Sequence, residues 1–277
     1  MLGGVMTEKK KHESYSERFL EKWDFPRFEG IPQAYIILGI PRSGTNALVD
    51  GLISTGLAGA PLEYDNPVFR EILEARWKVT SIDELLKKLF AYRTGPNGIF
   101  GTKLLIPHLY HPGTFLPHLL DYSPKYIVVK RLDKLAQGVS RWRAEITGIW
   151  RAQDRAADTV PKESYNFGGI LSQIVFSLRE EKALDQLIRL PGVSGEALIY
   201  EEFSKDIPGT VSWLMERLFS ISVPKEAVSL GDMKRQRNTV SKYYMERFLK
   251  DFKARESQLE ENLAMEVRKA LVRCSYL

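Results

Sequence analysis

The chain has 277 residues, 44% of them hydrophobic and 27% charged, which is ordinary for a soluble globular protein and enough for one α/β domain with a large core or two small ones. No apolar run approaches the roughly 18 residues that span a bilayer, the opening MLGGVMTEKKKHES carries charge without the apolar stretch of a secretory signal, and a lone Cys274 excludes an internal disulfide and argues against a Cys/His zinc site, so a reducing cytoplasm and no metal are expected. The net charge of +5 is uneven: Lys125 to Arg155 holds eight basic and three acidic residues and Lys234 to Arg255 eight basic and two acidic, leaving the remainder acidic, a pattern suited to a compact polyanionic ligand.

Residues 1–33 are polar with scattered aromatics (Tyr15, Phe19, Trp23, Phe25, Phe28). They read as an extension, partly helical near Ser14 to Trp23, that packs on the core. Ala34 to Ile40 is a continuous apolar run and reads as a buried parallel strand. A tight turn, Pro41-Arg42-Ser43-Gly44-Thr45, leads into helical spacing from Thr45 to about Thr55. A Gly/Ala/Pro-rich loop containing Glu63 follows, then a helix opened by Asn66-Pro67 and running to Trp77. Ser81-Ile82-Asp83-Glu84 is a capping box for a helix to about Tyr92. Arg93 to Gly98 is a turn, and Ile99 to Leu105 is the second strand. Lys125 to Lys130 is the third strand and Lys134 to about Glu145 the helix after it. Tyr165 to Leu190 is helical, Ala197 to Tyr200 a short fourth strand, and Val211 to Phe219, Ser241 to Phe252 and Leu259 to Val272 are helices. Strands alternating with helices predict an α/β fold, a central parallel β-sheet with helices on both faces and a helical C-terminal region. A ligand then belongs at the carboxyl ends of the strands.

The turn at 41–45 is P-loop-like without being the nucleotide P-loop, which is G-x-x-x-x-G-K-[ST]. It has one glycine, Gly44, and its basic residue is the early Arg42. A guanidinium takes two phosphate oxygens in a fork. Ser43, Thr45 and Asn46 add donors, and the helix start adds amides and a positive dipole end. An ordinary strand-to-helix turn with a capping Thr is the alternative. Arg131 repeats the arrangement after the third strand, and Ser140 follows about three turns into the next helix at ~3.6 residues each.

PRSGT after an apolar strand resembles the 5′-phosphosulfate loop of sulfotransferases, which use 3′-phosphoadenosine 5′-phosphosulfate (PAPS). RLDKLAQGVSRWRAEITGIWR, STGLAGAPLEY, RTGPNGIFGTKL and Arg235-Gln236-Arg237-Asn238 are similar, in order, to segments of the bacterial trehalose 2-sulfotransferase family. The resemblance covers most of residues 34–255 and implies a sulfotransferase fold forming one domain over 34–277. It implies PAPS as donor, adenosine 3′,5′-bisphosphate as product, and a small hydroxylated acceptor, a carbohydrate or related metabolite, rather than nucleic acid. Arg42, Ser43, Gly44, Thr45 and Asn46 would hold the phosphosulfate end, with Arg42 also serving catalysis. Arg131 and Ser140 would hold the 3′-phosphate, Arg235 and Arg237 would clamp the same side, and Tyr200 would flank the adenine.

The resemblance puts the general base at Glu63, whose pKa partial desolvation is expected to raise. Lys103 would touch the sulfuryl or bridging oxygen, and His108 is the fallback base. Trp142, Arg143 and Trp150 are offered as acceptor-cleft residues, with helix packing an equal explanation for the tryptophans. The family's Gln before the loop Arg is Pro41 here, and its acidic residue three before the base is Ala60. Two sugar-binding groups are therefore missing, which argues against trehalose itself. The family is often dimeric, and the C-terminal helices offer a surface for a homodimer. Two readings of another class stay open: an ATP-dependent small-molecule kinase with a degenerate loop, and a non-catalytic polyanion-binding module.

Overall fold

The computed structural model describes residues 15–110, 113–150, 160–193, 195–230 and 239–277. Four strands, β1 (Gln33–Gly39), β2 (Ile99–Leu105), β3 (Lys125–Lys130) and β4 (Gly195–Ile199), form one sheet in the order β2-β1-β3-β4. Every neighbouring pair is parallel, with Gln33 opposite Ile99, Tyr35 opposite Lys125 and Tyr126 opposite Gly195. The apolar run of β1 is buried beyond its first residue and β2 is buried throughout, so both faces of the sheet are covered. β2 runs unbroken through Gly101, and a glycine is needed there because the ring of Tyr35 lies against it. A Cβ there would stand 2.4 Å from that ring.

The principal helices are α1 (Thr45–Ser54), α2 (Pro67–Trp77), α3 (Ile82–Arg93), α6 (Lys134–Thr147), α7 (Phe167–Leu187), α9 (Ile207–Phe219), α10 (Thr239–Arg255) and α11 (Glu261–Arg273). Three are single turns: α4 (Ile106–Leu109), α5 (Leu116–Leu120) and α8 (Tyr200–Phe203). Their starts follow cap chemistry. Asn66 accepts from the Val68 amide with Pro67 at the first position, and Asp133, Asn166 and Asp206 accept from Ala136, Gly169 and Gly209. Ser81 accepts from Glu84 at 3.2 Å. The Glu84 carboxylate bonds the amide of Thr80, one residue earlier than a standard capping box has it.

The fourth strand differs from expectation, and the short α4, α5 and α8 were not expected from the sequence. The fourth strand stops at Ile199, and Tyr200 opens α8. The chain turns there because Glu201 reaches back to the amides of Leu132 and Asp133, at 3.0 Å each. The short α4 and α5 carry Pro107 and Pro117 in their first turns. The absent proline N–H has no helical partner to lose at that position.

The main hydrophobic cluster surrounds the sheet and takes in Tyr15 and Phe19 from ahead of β1. A second cluster, with Leu135, Ile174, Phe248 and Val267 at its centre, joins α6, α7, α10 and α11. Among the described residues no helix is long and apolar enough to cross a membrane.

Candidate functional site

The chain leaves β1 for β2 on one side and then crosses to β3 on the other. The crevice where ligands enter such sheets therefore opens at the carboxyl ends of β1 and β3. The turn Ile40–Gly44 sits there. Arg42 has φ 63° and Gly44 has φ 96°. The amides of Thr45 and Asn46, at the first turn of α1, have no acceptor within the helix. The Ser43 hydroxyl is fully buried and has no hydrogen-bond partner among the described residues. A buried donor of this kind is one that a ligand oxygen can satisfy.

On one side the turn is held by α6. Gln137 donates to the Pro41 carbonyl at 2.9 Å. Arg42 donates through Nε to Ser140 Oγ at 2.8 Å and through Nη1 to the Trp150 carbonyl. Arg131 donates to the Arg42 carbonyl at 3.0 Å. The Arg131 guanidinium lies 4.7 Å from the centre of the Tyr200 ring, with Glu201 3.9 Å away. Tyr200 also covers Gly44, where a Cβ would stand 2.3 Å from the ring. Gly44→Ala is therefore expected to destabilise the protein by about 1–3 kcal/mol, from left-handed backbone and ring clash together. A denaturant titration against the parent protein checks it.

On the other side stands an acid–base pair. The Leu62 carbonyl accepts from the Lys103 amide at 2.9 Å, and Leu62 bridges Thr102 in parallel fashion. This strand-like contact brings the side chains of Glu63 and Lys103 together as a salt bridge. Lys103, 1% exposed, also donates to Asn46 at the start of α1. Asn66 donates to the Glu63 carboxylate at 3.2 Å.

The expected rise in the Glu63 pKa is corrected here. Burial does push it up. The Lys103 ammonium, as charge and as donor, prevails with smaller help from His108 and Asn66, and holds the carboxyl below its ordinary value. The His108 pKa is lowered too, for a different reason. Burial lowers its pKa against the opposing pull of Glu63 and Asp65.

Arg42, Ser43, Gly44, Thr45, Asn46, Glu63, Lys103, Arg131, Ser140 and Tyr200 thus gather at one end of the sheet. Arg235 and Arg237 lie outside the described residues. Arg42 points towards Ser140, the side that sequence reading gave to the second phosphate. Arg143 does not line a cleft: it is 2% exposed and donates to Ser241 inside the helical cluster. Trp142 packs on Gly169 and donates to the Ser164 carbonyl. Gln137, Glu201, Asn66 and Tyr15 were missed by sequence reading. Only Glu201 carried a signal, because it directly follows the expected fourth strand, at the carboxyl ends where a ligand belongs. Among the described residues no group of three or more His, Cys, Asp or Glu side chains is placed to hold a metal ion.

The Stf0 sulphotransferase family profile matches residues 34–251. The chain belongs to this family. Two relatives of this sulphotransferase are the trehalose 2-sulfotransferases of Mycolicibacterium smegmatis and Mycobacterium tuberculosis. The first is 26% identical over 54% of this chain and 70% of its own. The second is 25% identical over 53% and 69%. Among solved structures, the sulfotransferase domain of the Synechococcus PCC 7002 olefin synthase aligns over 81% of this sulphotransferase and 90% of its own chain, at 14% identity and a TM-score of 0.39.

Proposed function

We propose that the protein transfers a sulfuryl group from PAPS to a hydroxyl of a small acceptor, of carbohydrate or related chemistry, using residues 34–277 as one sulfotransferase domain. The observation that carries this reading is the arrangement about the β1–α1 turn. Arg42, Arg131 and Ser140 stand on one side. The Lys103–Glu63 pair stands on the other, and the turn itself carries the buried Ser43 hydroxyl.

Ser43, Gly44, Thr45 and Asn46 hold the phosphosulfate end, and Arg42 joins them by swinging away from its contact with Ser140. Arg131 and Ser140 hold the 3′-phosphate, and Tyr200, fixed against Arg131, flanks the adenine. Bound PAPS supplies an already electrophilic sulfuryl group, so the residues have mainly to align it and stabilise charge. Lys103 is shared between Glu63 and Asn46. As its ammonium turns towards anionic oxygen at the Asn46 end, Glu63 loses the partner that holds its pKa down. Burial then dominates, and the carboxylate accepts the acceptor's hydroxyl proton.

The relatives act on trehalose by name. Here Pro41 and Ala60 stand where that family has polar groups, and Ala60 is buried in the core, so a different hydroxylated acceptor is preferred.

A thermal-shift comparison tests the donor class. Adenosine 3′,5′-bisphosphate is expected to raise the melting temperature by several degrees at saturating concentration. ATP with Mg²⁺ is expected to leave it nearly unchanged. The reverse order would replace the reading with a kinase.

A further inference from the structure

The family match begins at residue 34, yet the described chain ahead of it is built into the site. Tyr15–Phe19 and Glu21–Trp23 form two short 3-10 turns. Arg93, fully buried, donates to the carbonyls of Arg18, Trp23 and Leu20 at 2.9, 3.2 and 3.4 Å. It also pairs with Asp24 at 3.0 Å. Arg18 pairs with Asp50 on α1. Phe25 and Phe28 bond the carbonyls of Tyr92 and Ala91. Phe19 stacks on Phe69 at 4.6 Å, and Tyr15 meets the same ring edge-on at 4.9 Å.

These contacts deliver Tyr15, 7% exposed, to the acid–base pair. Its hydroxyl accepts from the Glu63 amide at 3.4 Å. Its ring centre lies 5.8 Å from the Lys103 ammonium, within reach of a cation–π attraction. Both members of the pair therefore touch one side chain from outside the family match.

We infer that Tyr15 is a positioning residue for Glu63 and Lys103, held in place by the anchored residues 15–28. The inference rests on the proposed roles of that pair. Tyr15 acts through Lys103 and the Glu63 backbone, and it lies apart from Arg42, Arg131 and Ser140. Its removal should therefore slow turnover without weakening nucleotide binding. The ring matters more than the hydroxyl, because the hydroxyl's bond to the Glu63 amide is long, at 3.4 Å.

Steady-state kinetics and calorimetric titration with adenosine 3′,5′-bisphosphate, on the full chain, test this. Tyr15→Leu is expected to lower kcat by about tenfold or more. Tyr15→Phe is expected to stay within about threefold of the parent, and both should bind the bisphosphate within about twofold of it. In a Glu63→Gln background Tyr15→Leu should add less than about twofold, because the pair it positions is already broken. Full kcat in Tyr15→Leu overturns the inference. So does a parallel loss of bisphosphate affinity, or a tenfold loss that persists in the Glu63→Gln background. If Tyr15→Leu does not fold, a Tyr15→Phe enzyme impaired as deeply as Glu63→Gln overturns the primacy of the ring. Full turnover by Glu63→Gln alone would instead sink the base assignment on which the inference stands.

Discussion

Glu63→Gln is expected to reduce kcat by about 10²–10⁴, the range a positioned general base supplies, while leaving bisphosphate affinity within about twofold of the parent. Glutamine keeps the shape and the neighbour at Asn66. It removes the negative charge paired with Lys103 and the lone pair that takes the acceptor's proton. The site separates the two readouts because the pair lies on the β2 side of the turn and the Arg42–Ser140 contact on the α6 side. Single-turnover sulfation with a panel of hydroxylated metabolites measures the first, and calorimetry the second. Unchanged turnover would move the base elsewhere. His108 is the next group to examine, because Glu63 and Asp65 both act on it electrostatically.

Arg131→Ala should all but abolish bisphosphate binding, by about 100-fold or more. Two effects combine. A charged donor facing phosphate contributes roughly 1.5–3 kcal/mol. Arg131 also bonds the Arg42 carbonyl and braces Tyr200, so its loss slackens the loop itself. Arg131→Lys is not expected to restore binding, since an ammonium cannot lie flat on the tyrosine while forking between carbonyl and phosphate. Calorimetric titration decides it, and a Kd within threefold of the parent would remove Arg131 from the cradle.

Much of this was legible because the informative features are local. A five-residue turn after an apolar strand announces its own geometry, so Arg42 through Asn46 could be read directly. Arg131 and Ser140 could be read from one strand and one helix. What escaped depends on contacts between distant segments. Lys103 meets Glu63 through the Leu62–Thr102 bridge, forty residues apart, and that partner reverses the pKa direction expected from the loop's composition. Arg93 reads from the sequence as the start of a turn. It is fully buried because the chain ahead of β1 brings three carbonyls and Asp24 around it. Tyr200 extended an apolar run and was assigned to the strand. The Glu201 carboxylate, bonded to the next turn of the sheet edge, ends that strand one residue sooner.

The strand order has a consequence for how the molecule is made. Each hydrogen-bonded neighbour in the sheet lies far along the chain: Gln33 waits for Ile99, Tyr35 for Lys125, and Tyr126 for Gly195. No adjacent pair can be nucleated by a hairpin, so every rung carries a long loop-closure penalty and assembly is slow for the chain's size. On the ribosome the greasy first strand emerges well before the strands that pair with it. That interval, more than the finished structure, is when the chain is most exposed to self-association.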